Sequence, residues 1–208
     1  MSNSTMTRLN RLFAFAFSLG VGLFGCACTT VPSDHFYTLI GNSANLPMSA
    51  ASVQGPSVAI TSVTLPEAVD RSEIVVRSGP NRVLVMETQR WAESLKAAIP
   101  RALASDLSPL LGGATVSVQT DNASRDAKYG VWIDITRFDS ALGEAATIDA
   151  VWGVRASAGG QAKRGKSSWR IPVHGSSFDD LVAAHSAALA QLSIEIAKQI
   201  TDLEGAKN

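Results

Sequence analysis

The sequence predicts a single α/β domain, a mixed β-sheet carrying two main helices, and three observations lead there. Apolar residues recur at three- and four-residue spacing in two long stretches, from about Gln89 to Leu111 and from Phe178 to Leu203. Eight shorter stretches have strand composition or alternate apolar with polar residues. The last three of these are joined by short polar connections, the pattern of an antiparallel meander.

Ahead of the domain, Arg8 and Arg11 precede a charge-free apolar run from Leu12 to Phe24. A run of about 13 residues suits a secretory signal and is short for a bilayer span. It ends in Leu23-Phe24-Gly25-Cys26, which resembles the lipobox of bacterial lipoproteins: Leu three residues before the Cys and a small residue immediately before it. That resemblance implies acylation of Cys26 as the first residue of the mature chain. Cys28 is the weaker acceptor, because Gly25 would hold its Leu position. An ordinary cleaved signal, a short membrane anchor and a buried helix are the competing readings. The organisation expected is a signal peptide over 1–25, a lipidated tether with a first strand and a linker over 26–56, and the α/β domain over 57–208.

Charge excludes one class of partner. Lys and Arg number 18 against 18 Asp and Glu, and loss of Arg8 and Arg11 tips the mature chain slightly acidic, so no basic footprint for nucleic acid is expected. No later apolar stretch is long enough to cross a membrane as a helix. Cys26 and Cys28 are the only cysteines; two thiolates without a His cluster fall short of a four-ligand zinc site, so neither a metal nor a cofactor is expected.

The first strand is read at Phe36–Ile40, followed by a small, polar, Pro- and Gly-broken connection over 41–56. Ser57–Leu65 alternates through Val58 and Ile60 before its phase slips at Val63 and Leu65. Ile74–Arg77 and Arg82–Met86 pair through the turn chemistry of Ser78-Gly79-Pro80-Asn81. The first helix is expected from Gln89 to Leu111, capped by Thr88, stopped by Gly112-Gly113, kinked or divided by Pro100, with Trp91, Leu95, Ile99, Leu103, Leu107 and Leu110 on its buried face. A short strand over 114–119 places Val116 and Val118 on one side. In 131–138, Val131, Ile133 and Ile135 should oppose Trp132, Asp134, Thr136 and Phe138. In 147–156 the apolar row is Ile148, Ala150, Trp152, Val154 and Ala156; in 168–174 it is Trp169, Ile171 and Val173. The last helix should be capped by Ser176 or Ser177, with Asp179 and Asp180 favoured by its dipole.

Gly160-Gln161-Ala162-Lys163-Arg164-Gly165-Lys166-Ser167 satisfies G-x-x-x-x-G-K-[ST], the loop that cradles nucleotide phosphates. That chemistry needs a helix opening at the Lys-Ser, so that free N–H groups face the phosphates. Ser168 to Val173 instead alternates as a strand containing Pro172, so the glycines are read as a hairpin tip and nucleotide binding is not expected. The three histidines, His35, His174 and His185, fall in the tether, at a strand end and on an apolar helix face, and His185 is read as a packed residue. No G-x-S-x-G elbow and no H-E-x-x-H pair is present, so no catalytic residue is nominated.

Leu65-Pro66, Asp70-Arg71, the Ile74-Val75-Val76 strand and Arg90-Trp91-Ala92-Glu93-Ser94-Leu95, together with the lipobox and Phe36-Tyr37-Thr38-Leu39, resemble the auxiliary lipoproteins of ABC-type transport systems, the PqiC-like family. The resemblance implies a three-layer arrangement similar to anticodon-binding-like folds. It also implies a non-catalytic accessory, lipid-anchored in the outer membrane and facing the periplasm, that works with a mammalian-cell-entry (MCE) domain protein and its ABC permease to move lipids between membranes. A homo-oligomer is left open. Arg71, Arg77, Ser78, Gly79, Pro80, Asn81 and Arg82 are the expected partner contacts, since turn tips carry recognition; the competing reading pairs Arg71 and Arg77 with local carboxylates and makes Trp91 a core anchor. The rival function is a cell-envelope enzyme, or an activator of cell-wall remodelling.

Overall fold

Strands that alternate in sequence need a partner on each edge and a cover on their apolar face, and the chain supplies both. The computed structural model describes residues 33–43, 46, 55–118 and 122–206; the signal segment, Cys26 and most of the 41–56 connection lie outside them. Within the unit Asp34–Asn208 the elements are β1 (His35–Tyr37), β2 (Val58–Thr64), β3 (Glu73–Gly79), β4 (Arg82–Trp91), α1 (Leu95–Leu110), β5 (Val116–Val118), β6 (Tyr129–Ala141), β7 (Ala145–Ala156), β8 (Lys163–Pro172) and α2 (Phe178–Gly205). They form a mixed α/β domain with two sheets, β1-β4-β3 and β5-β2-β6-β7-β8.

The meander β6-β7-β8 is antiparallel throughout, as expected. β2 lies parallel to both β5 and β6, which brings residues some 70 positions apart into one ladder. The phase slip read in β2 is a bulge at Thr61. A second bulge, at Thr136 in β6, corrects the reading of Phe138: the extra residue turns the strand over, and Phe138 joins Ile135 in the core instead of opposing it.

The start of the first helix is also corrected. β4 runs on through Trp91, whose N–H donates to Ser72 O (2.7 Å), and the N–H of Ala92 donates to Tyr37 O (2.8 Å). These sheet bonds hold the backbone extended where apolar spacing alone suggested helix. The N-cap is therefore Ser94, not Thr88. Trp91 is still buried, edge-on to Phe138 with ring centroids 6.2 Å apart. α1 passes unbroken through Pro100 and Pro109; the missing Pro100 donor is outweighed by the packing of Leu95, Ile99, Leu103 and Leu107, all fully buried. Gly112 and Gly113 end it at φ 68° and 80°, the left-handed backbone that glycine adopts without cost.

α2 opens with a reciprocal cap. Ser177 Oγ accepts from the Asp180 N–H (3.1 Å), and the Asp180 carboxylate accepts from the Ser177 N–H (3.2 Å). Its face of Leu181, Leu189, Leu192, Ile196 and Ile200 closes the core against β6, β7 and β8. The core is one continuous cluster that includes Leu39, Ile74 and Val76 from the region of the small sheet.

Candidate functional site

The expected partner contacts converge on one element, the hairpin of β3 and β4, whose register runs from Glu73↔Arg90 to Gly79↔Arg82. Its arginines and Glu73 are engaged within the chain. Arg77 grips Asp139 of β6, with Nε 2.8 Å from both carboxylate oxygens and Nη2 2.7 Å from Oδ1. Arg137 adds a fourth contact at 2.8 Å. Partial burial pushes the Asp139 carboxyl up, but the hydrogen bonds and charges of Arg77 and Arg137 outweigh it and hold the group below the usual carboxylate range.

Arg77 Nη1 also donates to Pro80 O (3.2 Å), which ties the turn to the body of the domain. Arg82 donates back to Ser78 Oγ (2.8 Å) and Ser78 O (3.2 Å). Arg71 and Arg90 share Glu73, at 3.1 and 3.0 Å. The hairpin brings Arg77, Ser78, Gly79, Pro80, Asn81 and Arg82 together, with Arg71 at its far end beside Glu73. Arg71 pairs with the local carboxylate of Glu73, as the competing reading has it, whereas Arg77 pairs with a carboxylate 62 positions away. Cys26 lies outside the described residues.

The phosphate-loop look-alike is a strand. Gly165, Lys166 and Ser167 pair with Trp152, Val151 and Ala150, so their backbone groups belong to the ladder. A Cβ at Gly165 would overlap the Trp152 indole, and Ser167 is buried, accepting from Trp152 Nε1 at 2.8 Å.

One catalytic look-alike escaped the sequence reading. Ser140 Oγ lies 2.8 Å from His185 Nε2, and the imidazole stacks on Phe138 at 4.1 Å. Ser140 stands on β6 and His185 on α2, so no local motif could announce the pair. Burial pushes the imidazole down to about 3, against a smaller opposing pull from Asp139, so it stays neutral in ordinary buffers. The serine is 3 % exposed and the histidine 0 %. A substrate has no route to this pair, and its geometry is that of a packed core contact in which Nε2 meets Ser140 while Nδ1 is buried without a hydrogen-bond partner.

An open groove of about 640 Å³, the largest described, is lined by residues including Pro56, Leu111, Thr115, Lys128, Thr201 and Glu204. Its two charged groups neutralise each other across 2.7 Å. Beside it, the Tyr129 hydroxyl is pushed up to about 12, by burial first and then by Glu204. Among the described residues, no group of three or more His, Cys, Asp or Glu side chains is placed to hold a metal ion.

No curated protein matches the chain in sequence. Two solved structures share its fold. One, an uncharacterised protein, superposes with a TM-score of 0.65 at 20 % identity, over 81 % of this chain and 99 % of its own. The other, a Xanthomonas campestris protein of the DUF330 family, gives a TM-score of 0.61 at 17 % identity, over 84 % and 100 %. The family described as the ABC-type transport auxiliary lipoprotein component matches residues 37–197, from β1 to the last third of α2, and the chain belongs to that family.

Proposed function

We propose that the protein is a non-catalytic, lipid-anchored accessory of an MCE-type intermembrane lipid transport system, docking the periplasmic MCE-domain protein and its ABC permease to the outer membrane. Family membership makes it an auxiliary lipoprotein of a transport system, held at a membrane of the cell envelope. The observation that supports the finer reading is the extent of the match, which runs from Tyr37 of β1 into the last third of α2 rather than over one motif. The interior supports it: the Ser140–His185 pair is sealed, and the largest groove carries a neutralised ion pair.

The test is affinity purification of the acylated full chain from crosslinked envelopes, with inner and outer membranes separated beforehand. Recovery of an MCE-domain protein from the outer-membrane fraction is the expected result. Turnover of a cell-wall substrate by the purified chain, without any such partner, would replace this reading with the envelope enzyme.

A further inference from the structure

The five large apolar side chains that stand exposed among the described residues all belong to the small sheet or its immediate continuation. Phe36 is 63 % exposed, Ile40 66 %, Val83 52 %, Leu84 49 % and Val85 40 %. Val83, Leu84 and Val85 are consecutive in β4, so strand alternation sends Leu84 to one face of the hairpin and its neighbours to the other. Both faces are therefore wet. β3 pairs with these residues along one edge, while β1 covers the opposite edge only at Gln89–Trp91. An apolar hairpin with an open edge invites aggregation unless something covers it.

The direction of β1 identifies the cover. Because β1 runs parallel to β4, the chain enters it from the side of the hairpin turn. Cys26 precedes His35 by nine residues, which extend to at most about 30 Å. The hairpin reaches back about 23 Å over the strand from Gln89 to Arg82. A lipid on Cys26 thus leaves the hairpin tip within reach of the headgroups.

We propose that the β3–β4 hairpin, through Val83–Val85 just behind its turn, seats in the phospholipid surface that holds the acyl chain and forms a second membrane contact beside it. Arg82 borders the apolar residues and can lay its stem along them with its guanidinium among headgroup phosphates. Such a contact would add its own buried apolar area to whatever the acyl group contributes. This inference rests on the lipoprotein reading with Cys26 as acceptor.

The experiment uses the acylated full chain, with Cys28→Ser, in phosphatidylethanolamine–phosphatidylglycerol vesicles. An environment-sensitive dye is placed through Leu84→Cys or, as control, through Lys198→Cys on α2, an exposed site. Quenching of the Leu84 dye by lipids carrying nitroxide on their chains, with the Lys198 dye unaffected, is the expected result. The triple variant Val83→Thr, Leu84→Gln, Val85→Thr should melt like the parent and exchange faster between vesicles. Anchored protein with an unquenched Leu84 dye overturns the hairpin contact and leaves the anchor standing. A dye shielded from aqueous quencher only after an MCE-domain protein is added overturns it in favour of a protein interface. If Cys26→Ser chains still float with vesicles and keep the quench, the anchor assignment fails and the hairpin contact holds.

Discussion

Glu195 of α2 accepts the indole N–H of Trp169 from β8 at 3.1 Å. Its other oxygen takes the hydroxyl of Ser167, which itself accepts from Trp152. One carboxylate thus fastens the last helix to the edge of the large sheet through two strands. Glu195→Ala should cost about 1–3 kcal/mol, because it leaves two donors without an acceptor. Glu195→Gln should recover most of it. Urea unfolding followed by tryptophan fluorescence measures both, and equal losses for the two variants would show that packing, not hydrogen bonding, holds the helix.

Asp106 lies on α1, is 0 % exposed, and is covered where the backbone of Gly41 passes so close that a Cβ there would overlap Ser105. Burial raises its carboxyl from the ordinary 3.8 to about 6, although the amide of Asn42 pulls the other way. With the folded value raised, ionisation costs more in the folded chain. The Asp106 contribution is most favourable below about pH 4, weakens as pH rises toward 6, and is constant above. Asp106→Asn should therefore stabilise the protein at pH 7 by up to roughly 3 kcal/mol and flatten the stability profile between pH 4 and 6. A variant less stable than the parent at pH 7 would mean that the ionised carboxylate is needed.

His185 carries the opposite sign. Its folded value is depressed from 6.5 to about 3, so its contribution is complete above pH 6.5 and is lost as pH falls toward 3. Replacing both partners, Ser140→Ala with His185→Phe, removes the buried polar pair and should be close to neutral at pH 7. At pH 4 the double variant should exceed the parent by roughly 3 kcal/mol. Thermal melts across that range decide it. Under the proposed accessory role, transport by the system should persist in the double variant; its abolition in well-folded protein would restore the case for chemistry at this pair.

Lys166→Ala should change stability by no more than about 0.5 kcal/mol, as surface substitutions do. Ser167→Val, one residue on, should cost about 1–3 kcal/mol by stranding the Trp152 indole. Calorimetric titration of ATP should give no heat of binding with either the parent or Lys166→Ala. Saturable binding lost in that variant would overturn the strand assignment's chemical consequence.

Local pattern was enough for the meander, the last helix and its Ser177 cap, because each follows from alternation or from residues within one turn. It failed where distant bonds decide. Trp91, Leu95 and Ile99 have helical spacing, yet Ser72 and Tyr37, far back in the chain, hold residues 91–92 in the sheet. The Thr136 bulge that turns Phe138 inward exists only because β7 fixes the register on either side. The candidate contacts divide in the same way. A turn at Ser78–Arg82 is written in its residues, whereas the engagement of Arg77 depends on Asp139 62 positions away. Arg82–Met86 reads as a strand by composition, but the exposure of Val83–Val85 depends on which elements pack over the hairpin.

The parallel pairing of β1 with β4 has a mechanical meaning. A pull on the lipid end, directed along β1 toward the hairpin turn, loads the His35–Tyr37 ladder in shear. Its cross-strand bonds then strain together instead of opening one after another. Under the proposed docking role, tension between the partner and the membrane would enter the domain through that short ladder and pass along β4 to Trp91 in the core, so that β1 would be the first element to yield, while the meander and α2 keep their fold.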